Sequence, residues 1–324
     1  MSRPIRHLLP LALVALAVAG CGTSSNHSMR LALAALETPT PTPAASAASK
    51  PVSCKNLTAS LRPPATIPVP STMPQGSFMR AIQRRGYLIA GVSAGALDLG
   101  YLNPATGQIE GFEIELVREL ARAIFGNPTG HYRLLALSVP QRIPFVNAGK
   151  VDIVVDAVTI TCARKQQVDF STVYYDAHQR VLVLSSSHAT SVRDLAGQPV
   201  CAAAGSSSID VMKKLPDPPK PVGLPLGADC MAALQQGTVA AISTDDSILL
   251  GFKAQDPNTR LIGRSLADVP YGMAISKAHP EFVRFVNGVL ANLRADGTWR
   301  RLYDKWLGHI RGSNPRLPPA RYDG

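Results

Sequence analysis

The sequence predicts an α/β fold in two modest domains, with parallel-rich sheets covered by helices. Short apolar, β-branched runs alternate along the chain with segments of helical period. A length of 324 residues suits two cores better than one. Apolar residues, at 46% of the chain, are enough to fill both cores, whereas aromatics, at 6%, are too few for a base-stacking surface.

The chain opens with a segment that precedes the fold. Residues 1–21 read as an export signal, with Arg3 and Arg6 ahead of an apolar run from Leu8 to Ala19. That run is shorter than the roughly 20 residues a membrane span needs. It ends Val18-Ala19-Gly20-Cys21, which resembles the lipobox of bacterial lipoproteins. The resemblance implies lipid on Cys21 and a place on the extracytoplasmic face of the cell membrane. Residues 22–75 are rich in Pro, Ala, Ser and Thr, as in Thr38-Pro39-Thr40-Pro41-Thr42-Pro43, and read as an extended tether. No later apolar stretch is long enough to span a bilayer.

The folded part then runs in order. Tyr87 to Val92 reads as a buried strand, and Asn103-Pro104-Ala105-Thr106-Gly107 as a turn. Phe112, Leu116, Leu120 and Ile124 recur every fourth residue and mark an amphipathic helix. Glu115/Arg118 and Glu119/Arg122 are spaced to pair on its wet face. Val151 to Val155 and Val181 to Leu184 read as strands. Val200 to Ala203 is a strand running into Gly205-Ser206-Ser207-Ser208, and Ala240 to Ser243 one ending in Thr244-Asp245-Asp246. Phe282, Phe285, Val286, Val289, Leu290 and Leu293 mark a late helix that stops near Gly297.

Charge and cysteine content exclude several classes. The formal charge of +11 falls to about +6 from Gly76 onward, where 27 basic residues face 21 acidic ones, interspersed and without a Lys/Arg run. That pattern argues against a nucleic-acid partner. The four cysteines other than Cys21 allow three disulfide connectivities, among which the sequence does not choose. We expect Cys201–Cys230 within one domain and Cys54–Cys162 clipping the tail to the body. With no CxxC or Cys/His spacing and the seven His scattered, no metal site is expected. No other cofactor is called for.

Three stretches that follow predicted strands carry candidate chemistry, since ligands in such sheets bind beyond the carboxyl ends of strands. In Asp156-Ala157-Val158-Thr159-Ile160-Thr161-Cys162-Ala163-Arg164, Arg164 can grip a carboxylate bidentately, or simply sit on the surface at a helix start. Ala204-Gly205-Ser206-Ser207-Ser208 offers backbone N–H groups to an anion, or an ordinary cap. In Thr244-Asp245-Asp246, Asp245 can hold an ammonium, or the stretch can simply cap the next helix through Asp246. Together these parts suit a zwitterion.

In combination the chain resembles the family-3 extracellular solute-binding proteins, the polar-amino-acid receptors of ABC importers, from about Phe78 to Gly308. The resemblance runs through Arg85-Gly86-Tyr87-Leu88, Gly111-Phe112-Glu113-Ile114-Glu115-Leu116, Gly149-Lys150-Val151-Asp152 and Thr159-Ile160-Thr161 with Arg164. It continues through Val168-Asp169-Phe170-Ser171, Tyr174-Tyr175, Thr244-Asp245-Asp246, Tyr271-Gly272-Met273-Ala274 and Ala295-Asp296-Gly297-Thr298-Trp299. It implies a type II periplasmic-binding-protein fold, two lobes joined by two hinge crossovers near Tyr174–His178 and Ala267–Tyr271. Lobe 1 would combine 76–174 with 272–311, and lobe 2 would be 178–268, leaving 312–324 as a flexible tail.

The resemblance also implies roles. Arg164 would clamp the α-carboxylate with Ser206 and nearby amides, Gly205 and Ser207 included. Asp245 would bind the ammonium, and Thr159 and the Ala157 carbonyl would hold the polar ends. Gln141-Arg142-Ile143-Pro144 resembles the stretch of glutamate/aspartate-binding members in which an Arg meets the ligand's side-chain carboxylate, so an acidic ligand is expected, with Asn and Gln still open. The loop after the first strand, from Ser93, departs from the family's aromatic-rich pattern. There Asp98 and Tyr101 are the remaining candidates. The expected protein is a monomeric receptor that closes on its ligand and presents it to a membrane permease or sensor. An enzyme, a lyase or dehydratase on the same fold, is the alternative, but no Ser/His/Asp or Cys/His arrangement is visible.

Overall fold

The computed structural model describes residues 53–311 and 317–323. The expected export signal, Cys21 and the tether up to residue 52 lie outside the described residues. The alternation read from the sequence takes shape as two separate five-stranded sheets, plus a small three-stranded one.

The chain enters through α1 (Phe78–Arg85) and β1 (Leu88–Val92). β2 (Gly95–Ala96), β3 (Gly100–Asn103) and β4 (Gln108–Glu110) form the small sheet. Then come α2 (Phe112–Phe125), β5 (Tyr132–Ala136), α3 (Arg142–Asn147), β6 (Ile153–Val154), α4 (Cys162–Lys165) and β7 (Asp169–Phe170). The second half holds β8 (Tyr175–Leu184), β9 (Pro199–Ala203), α5 (Ser207–Lys213), β10 (Lys220–Leu224), α6 (Gly227–Gln235), β11 (Ala241–Asp245), α7 (Asp246–Gln255) and β12 (Thr259–Tyr271). The chain returns through β13 (Ala274–Ile275), α8 (Pro280–Ala295), α9 (Thr298–Trp306) and α10 (Gly308–Arg311).

The first sheet has the order β5-β1-β6-β13-β7, and β1 runs parallel to both neighbours. The second has the order β10-β9-β11-β8-β12, with β9 parallel to β10 and β11. The two long strands β8 and β12 carry the chain between the sheets. They pair antiparallel from Tyr175↔Tyr271 to Gln179↔Ala267, so the two crossings lie side by side. This is a type II arrangement of two α/β lobes.

Packing follows the sequence pattern. Phe112, Leu116, Leu120 and Ile124 are buried along one face of α2, while the Arg118–Glu115 and Arg122–Glu119 pairs form on its wet side at 3.5 and 3.1 Å. Gly111 precedes this helix at φ 137°, where a Cβ would sit 2.3 Å from the Leu99 carbonyl oxygen. Only glycine fits that approach. Trp299 Nε1 on α9 donates to the Tyr174 carbonyl at 2.8 Å and ties that helix to the crossing.

Two expectations about the chain ends need correction. The tether does not extend to residue 75, because the chain packs on the first lobe well before that. Ala59 and Ser60 are buried, and Ser60 Oγ donates to the Phe170 carbonyl at 2.6 Å. Residues 317–323 of the expected C-terminal tail are not free either. Ser60 N–H donates to the Arg321 carbonyl at 3.0 Å, and Asp323 N–H donates to the Ser60 carbonyl at 2.9 Å, which makes a parallel bridge with Tyr322. The reason is the same at both ends: backbone groups pair with one another over apolar surface. Among the described residues no helix is long and apolar enough to cross a membrane.

Candidate functional site

Between the two lobes lies a cavity of about 520 Å³. Its walls come from the carboxyl ends of parallel strands, at Ser93 after β1, Ser138 after β5, Ala157 after β6, Ser206 after β9 and Asp245 ending β11. The two sides touch across it. Ser207 Oγ on α5 donates to Thr159 Oγ1 at 3.2 Å. Tyr271 OH, at the end of the crossing strand β12, donates to Asp245 Oδ2 at 2.6 Å. A Cβ on Gly205 would lie 3.5 Å from Pro140 Cγ.

Arg164 stands on the single turn of α4. Thr161 caps this turn by accepting from the Arg164 N–H at 3.2 Å, and Arg164 Nη1 donates to the Thr159 carbonyl at 2.8 Å. Among the described residues no carboxylate forms an ion pair with Arg164. Burial, and then the neighbouring Arg142, lower its pKa to about 10, so it stays charged at neutral pH. The guanidinium therefore faces the cavity as a fork without a counter-ion.

Asp245 is 5% exposed and lines the opposite wall. It stands at the N-cap position of α7 but makes no side-chain capping bond. Burial raises its pKa to about 6, against the lowering effect of the Tyr271 hydrogen bond, which leaves it mostly ionised at neutral pH. Ser206 Oγ is buried on the same wall without a hydrogen-bond partner. A buried hydroxyl left unpaired is costly unless something else meets it.

The expected residues thus divide. Ser93, Arg142, Ala157, Thr159, Arg164, Ser206, Ser207 and Asp245 line one cavity. Asp98, Tyr101 and Gly205 do not. Asp98, in the turn between β2 and β3, pairs with His309 Nε2 on α10 at 3.3 Å. Tyr101 OH donates to Glu110 Oε1 at 2.9 Å within that sheet. Gly205, at φ 72°, makes the turn between β9 and α5.

Arg142 reaches the cavity but is not the free cation expected for an acidic side chain. Its Nε donates to Asp156 Oδ2 at 2.7 Å and its Nη2 to Asp156 Oδ1 at 2.9 Å. The anion that a second buried cation requires is supplied by the protein itself.

Sequence reasoning missed two of the residues that shape this floor. Asp156 directly follows an apolar run and so stands at a strand's carboxyl end, the same position that drew attention to Thr159. Glu113 is fully buried at the start of α2, accepts from Tyr174 OH, and accepts from the Ala157 N–H at 2.7 Å. Through that bond it holds Ala157 at φ 45°, a left-handed conformation unusual for a residue other than glycine. Both expected disulfides are present, Cys54–Cys162 and Cys201–Cys230, with Cα separations of 5.6 and 5.5 Å. The first joins α4, two residues before Arg164, to the N-terminal segment.

Residues 88–309 match the family model described as bacterial extracellular solute-binding proteins, family 3. Over 231 residues the chain is 33% identical to the ABC transporter glutamine-binding protein GlnH of Bacillus subtilis (strain 168), covering 71% of this chain and 84% of that protein. It is 36% identical over 200 residues to the glutamine-binding protein of Geobacillus stearothermophilus, covering 61% and 76% respectively. Among solved structures, a variant of ArgBP from T. maritima matches with a TM-score of 0.66 at 29% identity, over 71% of this chain and 99% of that one.

Proposed function

The chain belongs to the bacterial extracellular solute-binding proteins of family 3, and from that premise we propose that it is a receptor that traps a free α-amino acid between its lobes and presents it to a membrane importer. The observation that carries this reading is the pair of Arg164 and Asp245. They face one cavity from opposite lobes, one a cation without a counter-ion and the other an anion that caps no helix. An α-amino acid carries the complementary charges on adjacent groups. Its carboxylate fits the guanidinium fork, where charge-assisted bidentate bonds are short and strong. Its ammonium fits Asp245, and the unpartnered Ser206 hydroxyl can donate to the same carboxylate. The two relatives named as glutamine-binding proteins support the same ligand class.

Binding and closure are one event in this scheme. Arg164 and Thr159 sit with the first sheet, Ser206 and Asp245 with the second, and β8 and β12 form the hinge. Only the closed form brings both sets onto one molecule, so ligand draws the population toward closure. A micromolar site needs about 8 kcal/mol net, within reach of several desolvated charge-assisted bonds. We also propose that lipid on Cys21 holds the protein on the outer face of the membrane, and that the lobes divide at 76–174 with 272–311 and at 178–268. Calorimetry of the purified protein against the twenty common amino acids tests the reading. At least one should bind and be recovered unchanged, and Arg164→Ala should weaken it about 100-fold or more. Silence with all twenty would remove the proposal.

A further inference from the structure

Resting on that reading, we propose that Asp156 sets the ligand class: by neutralising Arg142 it makes the receptor select amino acids whose side chains carry no net charge. Charges must balance within the cavity between the lobes. The charged side chains lining the cavity are Arg142, Arg164 and Asp245. Arg164 and Asp245 are matched by the ligand's own carboxylate and ammonium. That leaves Arg142 as the one group able to answer a side-chain anion, and both oxygens of Asp156 already occupy its Nε and Nη2. Asp156 is fully buried and Arg142 nearly so, which makes the pair hard to open in exchange for a ligand.

A glutamate or aspartate ligand would therefore bring a second negative charge into a cavity whose cations are both committed. Glu113 lies behind the same floor and adds to the repulsion whenever it is ionised. A lysine-like side chain fares no better, because Asp245 meets the α-ammonium and the charge of Asp156 is already balanced by Arg142. The remaining walls include Leu137, Leu226, Ile248 and Phe252, which suit an uncharged chain. Arg142 Nη1 alone of its fork has no partner among the described residues, and it can donate to a neutral oxygen such as a side-chain amide. Specificity of this kind comes from what the site refuses as much as from what it accepts.

Isosteric pairs provide the test. The wild-type protein is titrated with glutamine against glutamate, asparagine against aspartate, and methionine against lysine. Within each pair that binds, the neutral member should be tighter by about tenfold or more. In Asp156→Asn, checked for folding by thermal unfolding, the glutamate-to-glutamine ratio should shift toward glutamate by about tenfold or more as Arg142 is released. Glutamate binding as tightly as glutamine to the wild type overturns the inference, as does an Asp156→Asn protein that folds and keeps the wild-type ratio. The wild-type comparison decides alone where the variant does not fold. Binding of no amino acid at all would instead remove the receptor reading on which the inference rests.

Discussion

Glu113 and Asp245 are buried carboxyl groups on either side of the cavity, and both hold their protons more tightly than an exposed carboxyl would. Burial, and then the nearby Asp156, push Glu113 to about 7, and burial pushes Asp245 to about 6. In each case the folded pKa lies above the unfolded one. The native state therefore takes up protons that the unfolded chain does not. The stability these groups contribute is full below the ordinary carboxyl range and is lost as pH rises through about 6 and then about 7. On the proposed reading ligand affinity runs the other way, since the ammonium would need an ionised Asp245. We expect the ligand-free protein to be more stable near pH 5.5 than near pH 8, by on the order of a few kcal/mol, and so to melt at higher temperature at the lower pH. Glu113→Gln should flatten the upper part of that profile. Amino-acid binding measured by calorimetry should weaken about tenfold per pH unit below about pH 6. A melting profile that rises toward alkaline pH would contradict the assignment. At this scale Arg164, Ser206 and Asp245 were legible because each follows a strand-like run. The neutralisation of Arg142 was not, because its partner comes from another loop, fourteen positions along the chain.

Among the elements, α4 is the one whose placement matters most and whose own resources are least. A single turn cannot hold itself against fraying. Thr161 caps it, the Cys54–Cys162 disulfide fastens its first residue, and Lys165 Nζ donates to the carbonyls of Asn56 and Ala59 at 3.2 and 2.8 Å. Asn287 then secures the N-terminal segment by donating to Ser60 Oγ and the Leu61 carbonyl, each at 2.7 Å. Replacing both cysteines by serine should lower stability by about 2–4 kcal/mol in denaturant titration, since the bridge closes a long loop. It should also weaken ligand binding several-fold, because Arg164 rides on the freed turn. Lys165→Ala should do the same more mildly. Unchanged affinity in the double serine variant would show that α4 holds its place without the clip. The amphipathic helices α2 and α8 were readable from period alone, whereas β12 was not. Its burial does not alternate cleanly, and a register shift between Ile262 and Ala267 interrupts its pairing with β8. β10 escaped notice because Pro and Gly break its pattern, and pairing with β9 is what makes it a strand.

For the whole molecule, the two-lobe architecture was legible from β-α alternation and from motifs spread along the chain. The chain ends were not, because composition alone does not show where a proline-rich segment meets a surface able to order it. The tether expected to end at residue 75 gives way to packed chain near Cys54. The proposed anchor is a property of the intact protein and is tested there. Cys21→Ala should move the protein from the membrane fraction to the medium while leaving amino-acid affinity unchanged, and a variant that stays with the membrane would point to another means of attachment. Ser60 and Tyr322 lie side by side, so both ends of the folded body leave from the same jaw. On the proposed closure, whatever grips the chain at an end would hold that jaw, and the other would move relative to it. A fluorophore on the travelling jaw would report occupancy, whereas one fused at the C-terminus would stay dark to it.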